Sequence, residues 1–395
     1  MDPVKNPFAP GAGSPPPELA GRGSLLEQAR IAVARVQALR PSKSLILVGL
    51  RGVGKTVLLV RMREMAEEAG YKAILVEAHE GKILPELLVP SLRQILFSLD
   101  GMAKAKEKAR RGLRVLKSFV SRLKFGVSSD MSFSLGIDPE VGTADSGDLE
   151  ADLGELLMAV GEAAKAANVA ISLCIDELQY LTEHEFSALI MAIHKVNQMR
   201  LPIIVIGAGL PQILGLAGES KSYSERLFDF PRVGALSEED AVAAVQVPTA
   251  TMGVTFTPSA LSEILHMTKC YPYFLQQWGH EAWNLATTSP IDNRVVNVAT
   301  KAAIRSLDEN FFRVRFDRCR PSEKRYLRAL ADLGPGPQKS GEVAERLGVK
   351  TASVGPVRAQ LILKGMIFSP QHGDTEFTVP MFDEYMRRTM PKGTW

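Results

Sequence analysis

The sequence predicts an α/β fold in which helices cover both faces of a parallel sheet, followed by a helical region and a small C-terminal unit. Three observations predict this fold. Four apolar runs of strand length alternate with helical patterns up to residue 206, as in sheets buried on both faces. A glycine-rich loop joins the first strand to a helix. From residue 236 onwards helical periodicity continues without a strand signal until after residue 365.

The elements follow in a simple order. Residues 1–20 are rich in proline, glycine and alanine, which predicts an extended N-terminal arm. The α/β domain is predicted at 21–235, a helical domain at 236–318 and the C-terminal unit at 319–395. Within the α/β domain the strands are expected at 45–48, 73–76, 169–175 and 203–206.

Composition excludes several classes of protein. The chain has 395 residues, of which 46% are apolar and 23% charged, and its net charge is +3. These values predict a globular protein of two or three domains. The three cysteines and six histidines show no metal-binding spacing. Because the sequence has no apolar run of roughly 18 residues and no signal peptide, we expect a soluble, cytoplasmic protein without a membrane partner.

A basic insertion interrupts the α/β pattern at 103–148. Residues 104–124 hold nine basic side chains and one acidic side chain, a local charge of +8. Residues 125–148 are rich in glycine, serine and aspartate and predict a loop or hairpin. Three interpretations of the basic run stay open: a solvated helix, an interface for an acidic partner, and contact with a phosphate backbone.

The glycine-rich loop matches the pattern G-x-x-x-x-G-K-[ST] between a strand and a helix. Its glycines allow successive backbone N–H groups to point at phosphate oxygens. Lys55 can reach the β- and γ-phosphates, and the Thr56 hydroxyl can ligate Mg²⁺. The pattern therefore predicts a site for ATP and Mg²⁺ that is formed by Gly49, Leu50, Arg51, Gly52, Val53, Gly54, Lys55 and Thr56.

An acidic pair, Asp176 and Glu177, follows the strand predicted at 169–175. The carboxyl ends of parallel strands lie at one edge of the sheet, where ligands of such sheets bind. Asp176 is placed there to hold Mg²⁺, and Glu177 to deprotonate the water that attacks the γ-phosphorus. An acidic turn after a core strand is the alternative. The adjacent pair favours hydrolysis over phosphorylation of a small molecule.

Together these motifs resemble the P-loop ATPases of the AAA+ class. The resemblance extends to the arm (Asn6 to Gly11, then Leu19 to Arg22), which is similar to the segment that lines the adenine pocket in this class. It implies a P-loop NTPase sheet followed by a helical lid at 236–318. It also implies that Arg22 approaches the nucleotide, although Arg22 could equally cap a helix.

Two further segments carry the resemblance. Residues 269–276 resemble the lid segment of archaeal-type and STAND-type signalling ATPases, which implies that Pro272 borders the nucleotide. Residues 223–228 resemble a motif of initiator-type (origin-recognition-like) and archaeal-type ATPases. In that motif an arginine faces the nucleotide of a neighbouring subunit, which implies a catalytic role for Arg226 in a homo-oligomer. A salt bridge from Arg226 to Glu225, Asp229 or a lid carboxylate is the alternative.

The chain departs from the family pattern at three positions. The strand at 203–206 ends in glycines and alanine, where many AAA+ proteins carry a polar sensor residue, and Gln212 is the nearest amide. Cys270 replaces the usual lid glycine, and no arginine stands at the second sensor position of the lid. We therefore expect hydrolysis to be slow or to need a partner.

The C-terminal unit shows a helix, a helix–turn–helix and a hairpin, a pattern that looks like the winged helix of initiator-type ATPases. In such folds the second helix of the pair enters the major groove of DNA. This implies double-stranded DNA as a partner. A protein-interaction module is the alternative. The DNA contacts would come from Lys350, Thr351, Ser353, Arg358 and Lys364.

These observations predict an ATP hydrolase that acts as a nucleotide-dependent switch and binds DNA through its C-terminal winged helix. Two alternatives stay open. One is a STAND-like signalling or defence ATPase that oligomerises with ATP and acts on a protein partner. The other is a DNA-binding regulator whose ATP site is mainly structural.

Overall fold

The structure is a computed structural model that describes residues 1–11, 13–122, 138–220, 224–371 and 373–391. Some sequence predictions lie outside these residues: the basic Lys124, residues 125–137 of the predicted loop, and Tyr223 of the arginine motif. The remaining predicted elements lie within them.

The predicted α/β fold is confirmed. Five parallel strands form a sheet in the order β2-β3-β4-β1-β5. Register pairs Leu45 with Ile206, and Ile171 with Ile203. The strands are β1 (Ser44–Val48), β2 (Lys72–Glu77), β3 (Ile171–Asp176), β4 (Ile203–Gly209) and β5 (Phe228–Asp229). Every residue of β1, β3 and β4 is buried, as their continuous apolar sequences predict.

Helices cover both faces of this sheet. Because side chains alternate along a strand, Leu45 and Leu47 pack against α1 and α2, whereas Ile46 and Val48 belong to the core on the other face. The helices of this part of the chain are α1 (Gly23–Gln37), α2 (Lys55–Glu68), α3 (Leu84–Asp100), α4 (Lys106–Arg122), α5 (Leu149–Ala167), α6 (Glu183–Gln198), α7 (Ile213–Ser220) and α8 (Ser224–Leu227).

The basic run forms α4, which packs against α3 and α5. Its apolar side, with Leu116 and Phe119, is buried in the core. Several of its basic side chains form ion pairs with acidic residues of the same domain: Lys108 with Glu162, Arg110 with Asp100, and Arg111 with Glu140 and Glu162. Much of the local charge is therefore neutralised within the domain. Among the three interpretations, this favours a solvated helix that is held by intramolecular pairs.

The rest of the chain is mainly helical. A π-helical turn, Leu307–Phe312, follows α12. Three short strands, β6 (Gln338–Lys339), β7 (Ile367–Phe368) and β8 (Asp374–Phe377), form an antiparallel sheet in the order β6-β8-β7. The helices are α9 (Glu238–Ala250), α10 (Pro258–Thr268), α11 (Pro272–Leu285), α12 (Asn293–Ser306), α13 (Arg313–Asp317), α14 (Pro321–Asp332), α15 (Ser340–Leu347), α16 (Thr351–Leu363) and α17 (Phe382–Thr389).

One hydrophobic core runs through the lid and the C-terminal unit. Phe312 of the π-helical turn packs on Phe382 and Tyr385 of α17, with ring centroids 5.8 Å and 5.4 Å apart. The core therefore continues across the domain boundary that was predicted between residues 318 and 319. The lid and the C-terminal unit therefore pack directly against each other through these aromatic contacts.

The N-terminal arm is packed, which corrects the expectation of a merely extended segment. Phe8 is 3% exposed and belongs to the core of the lid. The Asn6 amide donates to Asn284 at 2.9 Å, and the Trp283 indole donates to the Asp2 carbonyl at 2.8 Å. Phe8 fits because Gly279 has no side chain: a Cβ there would lie 2.7 Å from the ring. This contact is between residues far apart in sequence, so composition did not reveal it.

None of the helices in the described ranges is long and apolar enough to cross a membrane.

We predict that Phe8→Ala releases the arm from the lid. Removing a buried phenylalanine costs about 3–5 kcal/mol, and a terminal segment can detach instead of destabilising the whole domain. Limited proteolysis should cut residues 1–18 faster than in wild type. Val4→Ala is the matched control, because Val4 is 92% exposed. If Phe8→Ala leaves the cleavage rate of the arm unchanged, the arm is not held by this contact.

Candidate functional site

The glycine-rich loop between β1 and α2 has the geometry that its sequence predicts. Gly52 and Gly54 have φ angles of 83° and 90°, in the left-handed region that favours glycine. At Gly49 a Cβ would lie 2.1 Å from the Val233 carbonyl oxygen. Lys55 begins α2, and its Nζ donates to the Leu50 carbonyl at 2.9 Å. The lysine therefore folds back over its own loop.

Thr56 and Asp176 meet across the sheet edge. The Thr56 hydroxyl donates to Asp176 Oδ2 at 2.6 Å, and the Glu177 backbone N–H donates to Asp176 Oδ1 at 2.8 Å. Burial raises the pKa of Asp176, while the bond from Thr56 lowers it. Hydroxyl and carboxylate oxygens are the ligands that Mg²⁺ prefers, and it keeps several waters as well. The two side chains therefore fit a Mg²⁺ site completed by phosphate oxygens.

Glu177 is held from two sides. Its Oε1 lies 3.3 Å from Arg51 Nη1 of the phosphate loop, and its Oε2 accepts a hydrogen bond from the Gln179 amide. The Gln179 Oε1 in turn accepts from the Leu210 N–H at 2.9 Å. Gln179 thus connects Glu177 to the end of β4, where the sequence lacks a polar sensor residue. Sequence reasoning missed Gln179, because Gln212 was the nearest amide along the chain.

The phosphate loop also contacts the lid and the C-terminal unit through its backbone. The Arg51 N–H donates to the Thr378 carbonyl at 3.0 Å, and the Tyr273 N–H donates to the Gly52 carbonyl at 3.1 Å. Thr378 follows β8 and is fully buried. The loop is therefore in direct contact with both helical parts of the chain.

A pocket opens above this loop. Its lining combines apolar residues of the arm and lid with charged residues, among them those of the phosphate loop. Its walls include Ala9, Pro10, Leu19, Arg22, Arg51, Gly52, Val53, Gly54, Lys55, Thr56, Glu177, Leu236, Ala244, Pro272, Tyr273, Gln276, Phe311 and Arg315. A nucleotide has the same two parts, an apolar base and a charged phosphate chain.

The structure places Arg22 and Pro272 at this pocket. Arg22 is the N-cap residue of α1, but its side chain makes no capping hydrogen bond. Its guanidinium donates instead to the carbonyls of Gly234 at 2.6 Å and Val53 at 3.3 Å. Burial lowers the pKa of Arg22. Pro272 opens α11. Cys270, just before it, has a φ of 57°, which explains why a glycine suits that position.

Arg226 lies away from this pocket. It is exposed on the short helix α8, beside the edge strand β5. Lys43, not Arg226, pairs with Asp229 at 3.0 Å and also donates to the Glu225 carbonyl. The Arg226 side chain is therefore accessible to a second molecule.

Arg315 is a second residue that sequence reasoning missed. It lies in α13 and reaches the pocket from outside the predicted lid motif. Its guanidinium sits over the Phe311 ring, 4.0 Å from the centroid, and donates to the Phe311 carbonyl at 2.6 Å. Burial, together with the positive charge of the nearby Arg51, lowers the pKa of Arg315 to about 10. Its sequence context carries no motif that predicts this position.

The residues proposed for DNA contact separate into two groups. Lys350, Thr351 and Ser353 are exposed at the start of α16. The other two are engaged inside the unit, which corrects the expectation for them. Arg358 donates to Thr375 Oγ1 at 2.8 Å and to the Asp374 carbonyl at 2.7 Å, and Lys364 pairs with Glu323 at 2.6 Å. Their charges stabilise the fold of the unit instead of facing outward.

Comparison with family models gives two matches. Residues 18–206 match the model described as an AAA ATPase domain, and residues 309–386 match a domain of unknown function (DUF8462). A comparison with curated proteins found no match.

Solved structures with a similar fold cover nearly the whole chain. The Walker-type ATPase of Pyrococcus abyssi aligns with a TM-score of 0.55 and 16% identity over 93% of this chain and 96% of its own. The Aeropyrum pernix Orc1 protein in complex with DNA aligns with a TM-score of 0.48 and 14% identity over 94% of each chain. The Thermotoga maritima RuvB Holliday junction branch migration motor aligns with a TM-score of 0.43 and 13% identity over 93% of this chain and 95% of its own. The similarity to the Pyrococcus abyssi ATPase supports the AAA+ fold.

We predict that ATP binding takes up a proton at alkaline pH. Burial lowers the pKa of Lys55 from 10.5 to about 8. Between these values the folded, nucleotide-free protein holds fewer protons than the unfolded chain, so its stability should rise with pH in this window. Phosphate favours the charged lysine, so binding above pH 8 should recruit a proton and weaken as pH rises.

Titration calorimetry near pH 9 in buffers of different ionisation enthalpy measures this uptake. Lys55→Arg is the control, because arginine stays charged throughout and should remove the uptake. Equal binding enthalpies in all buffers for wild type would show that Lys55 is not the group facing the phosphates.

Proposed function

We propose that the chain binds ATP with Mg²⁺ between the sheet edge and the lid and hydrolyses it as a nucleotide-dependent switch. The match of residues 18–206 to an AAA ATPase domain and the AAA+ fold of the chain support this proposal. The observation that carries this proposal is the hydrogen bond of 2.6 Å between Thr56 and Asp176 beside Lys55. The fold of the chain itself holds these groups together. Such preorganisation lowers the free-energy cost of binding.

Each residue has a distinct role in this proposal. The backbone N–H groups of the loop and the Lys55 ammonium bind the β- and γ-phosphates. Thr56 and Asp176 would hold Mg²⁺, which supplies charge neutralisation for the phosphates. Glu177 accepts the proton of the attacking water, and the Gln179 amide orients its carboxylate. The apolar residues of the arm and lid exclude water from the base.

Arg51 supports slow or regulated turnover. Its guanidinium occupies Glu177 Oε1, one of the two oxygens that could accept a proton. The same residue donates its backbone N–H to Thr378 of the C-terminal unit. Release of Arg51 would free Oε1 of Glu177 for the attacking water, and a movement of the C-terminal unit would act on Arg51 through its backbone bond to Thr378. A ligand of that unit would then set the rate of hydrolysis.

We predict that Glu177→Gln separates binding from hydrolysis. Glutamine keeps the shape but cannot accept the proton, so ATP affinity should stay within about threefold while turnover falls by about 10²-fold or more. Phosphate release and equilibrium binding of ATP measure the two effects. Lys55→Ala is the contrasting variant and should lose binding itself, at a cost of roughly 1.5–3 kcal/mol. Full turnover by Glu177→Gln would show that another residue is the base.

The partner is proposed to be double-stranded DNA, bound by the C-terminal unit as a winged helix. The order of α14, β6, α15, α16, β7 and β8 supports this, together with the exposed Lys350, Thr351 and Ser353 at the start of α16. A protein partner is the second candidate, and the internal bonds of Arg358 and Lys364 favour it. An exposed Arg226 is compatible with assembly on ATP in either case.

We predict that DNA binding, measured by fluorescence anisotropy, weakens steeply with salt. Each phosphate contact contributes about 0.9 to the slope of log K against log salt. Lys350→Ala should therefore shallow the slope by about that amount. Lys301→Ala, an exposed lysine of α12, is the control and should leave the slope unchanged. Absence of salt-sensitive DNA affinity below about 10⁻⁵ M, with and without ATP, would favour the protein partner.

A further inference from the structure

We infer that Arg315 contacts the phosphate chain of the bound nucleotide, so that the region matching the domain of unknown function contributes a residue to the ATP site. The inference rests on the proposed ATP-binding function and extends it. Residue 315 lies within the match at 309–386, outside the matched ATPase domain at 18–206. Residues of both matched regions, 18–206 and 309–386, would then contact the nucleotide bound to the same chain.

A column of contacts fixes Arg315 relative to the phosphate loop. The Tyr273 N–H donates to the Gly52 carbonyl of the loop at 3.1 Å. The Tyr273 ring stacks on Phe311, with centroids 4.7 Å apart and an interplanar angle of 24°. The Arg315 guanidinium covers Phe311 at 4.0 Å. Each link is short and directional, so the guanidinium holds a defined position at the pocket.

The π-helical turn Leu307–Phe312 makes this column possible. Two adjacent aromatic residues of the turn point in different directions: Phe312 is fully buried in the shared core, and Phe311 lines the nucleotide pocket. The wider turn changes the helical register, which allows both placements. Turns of this kind occur frequently at functional sites.

The Arg315 guanidinium lacks an acidic partner in the part of the chain that the structure describes. In contrast, Arg313 of the same helix forms an ion pair with Asp317. Glu177 lies near Arg315 but is already paired with Arg51, which is a second positive charge close by. The Arg315 side chain is half-buried, and withdrawing a cation from water without a counter-ion is unfavourable. An anion in the pocket removes this cost, and phosphate matches the planar donors of arginine.

The charges near Arg315 identify the end of the nucleotide that it meets. They include Arg51 and Glu177, which line the same pocket as Arg315 and belong to the phosphate loop and to the water-activating position. The pair Arg22 and Asp240, whose charges interact with each other, is not among them. Arg315 is therefore placed for the β,γ end of the phosphate chain and not for the base.

The test compares three ligands in two variants and one control. Arg315→Gln should weaken ATP binding by about tenfold or more, the loss of one charged hydrogen bond. The same substitution should weaken ADP binding less than ATP binding and leave adenosine binding unchanged. Arg315→Lys should recover part of the ATP affinity. Arg313→Gln, an exposed arginine of the same helix, should keep all three affinities within about twofold.

Thermal unfolding of the nucleotide-free protein separates this role from a structural one. Because glutamine removes a half-buried charge that has no acidic partner among the described residues, Arg315→Gln should unfold at the same or a higher temperature than wild type. Equal losses of ATP and adenosine affinity, a lower unfolding temperature, or unchanged ATP affinity would each overturn the inference. If wild type itself fails to bind ATP, the proposed function fails, and that outcome is visible before any variant is made.

Discussion

A buried lysine, Lys55, and a half-buried arginine, Arg315, face one pocket, and the free energy of keeping them charged there is the constraint on which the site depends. Burial lowers the pKa of Lys55 to about 8 and that of Arg315 to about 10. Each donates to a backbone carbonyl, of Leu50 and of Phe311 respectively. These neutral partners do not balance the charge. The polyphosphate of a nucleotide would balance it, so the two side chains suit the binding of an anion.

The walls of this pocket come from segments far apart in the sequence. The arm is anchored by Phe8 to the lid, the lid shares its core with the C-terminal unit, and Thr378 of that unit accepts a hydrogen bond from the phosphate loop. A ligand that orders the loop therefore acts on all three. Because the coupling is reciprocal, a partner of the C-terminal unit would also change the affinity for nucleotide. The pairing of Arg51 with Glu177 gives that coupling a route to the chemistry.

Local patterns in the sequence predicted the sheet, the phosphate loop and the pair Asp176 and Glu177, because each depends on residues that are neighbours in the chain. Gln179 and Arg315 were missed because their roles depend on contacts with β4 and with the π-helical turn. The packed arm was missed for the same reason, since Gly279, more than 200 positions away, makes room for Phe8. Arg358 and Lys364 were assigned outward because sequence shows a charge but not its partner.

Hydrogen–deuterium exchange with and without ATP·Mg²⁺ tests the central claim most directly, which is that one nucleotide pocket is built from the arm, the phosphate loop and the α13 region. The account predicts slower exchange at residues 9–20, 50–58 and 311–318 together, with little change in α4. The chain offers an internal reference, because α4 packs on the opposite side of the α/β core from α2. Protection confined to the phosphate loop, with no change in the arm or at 311–318, would contradict it.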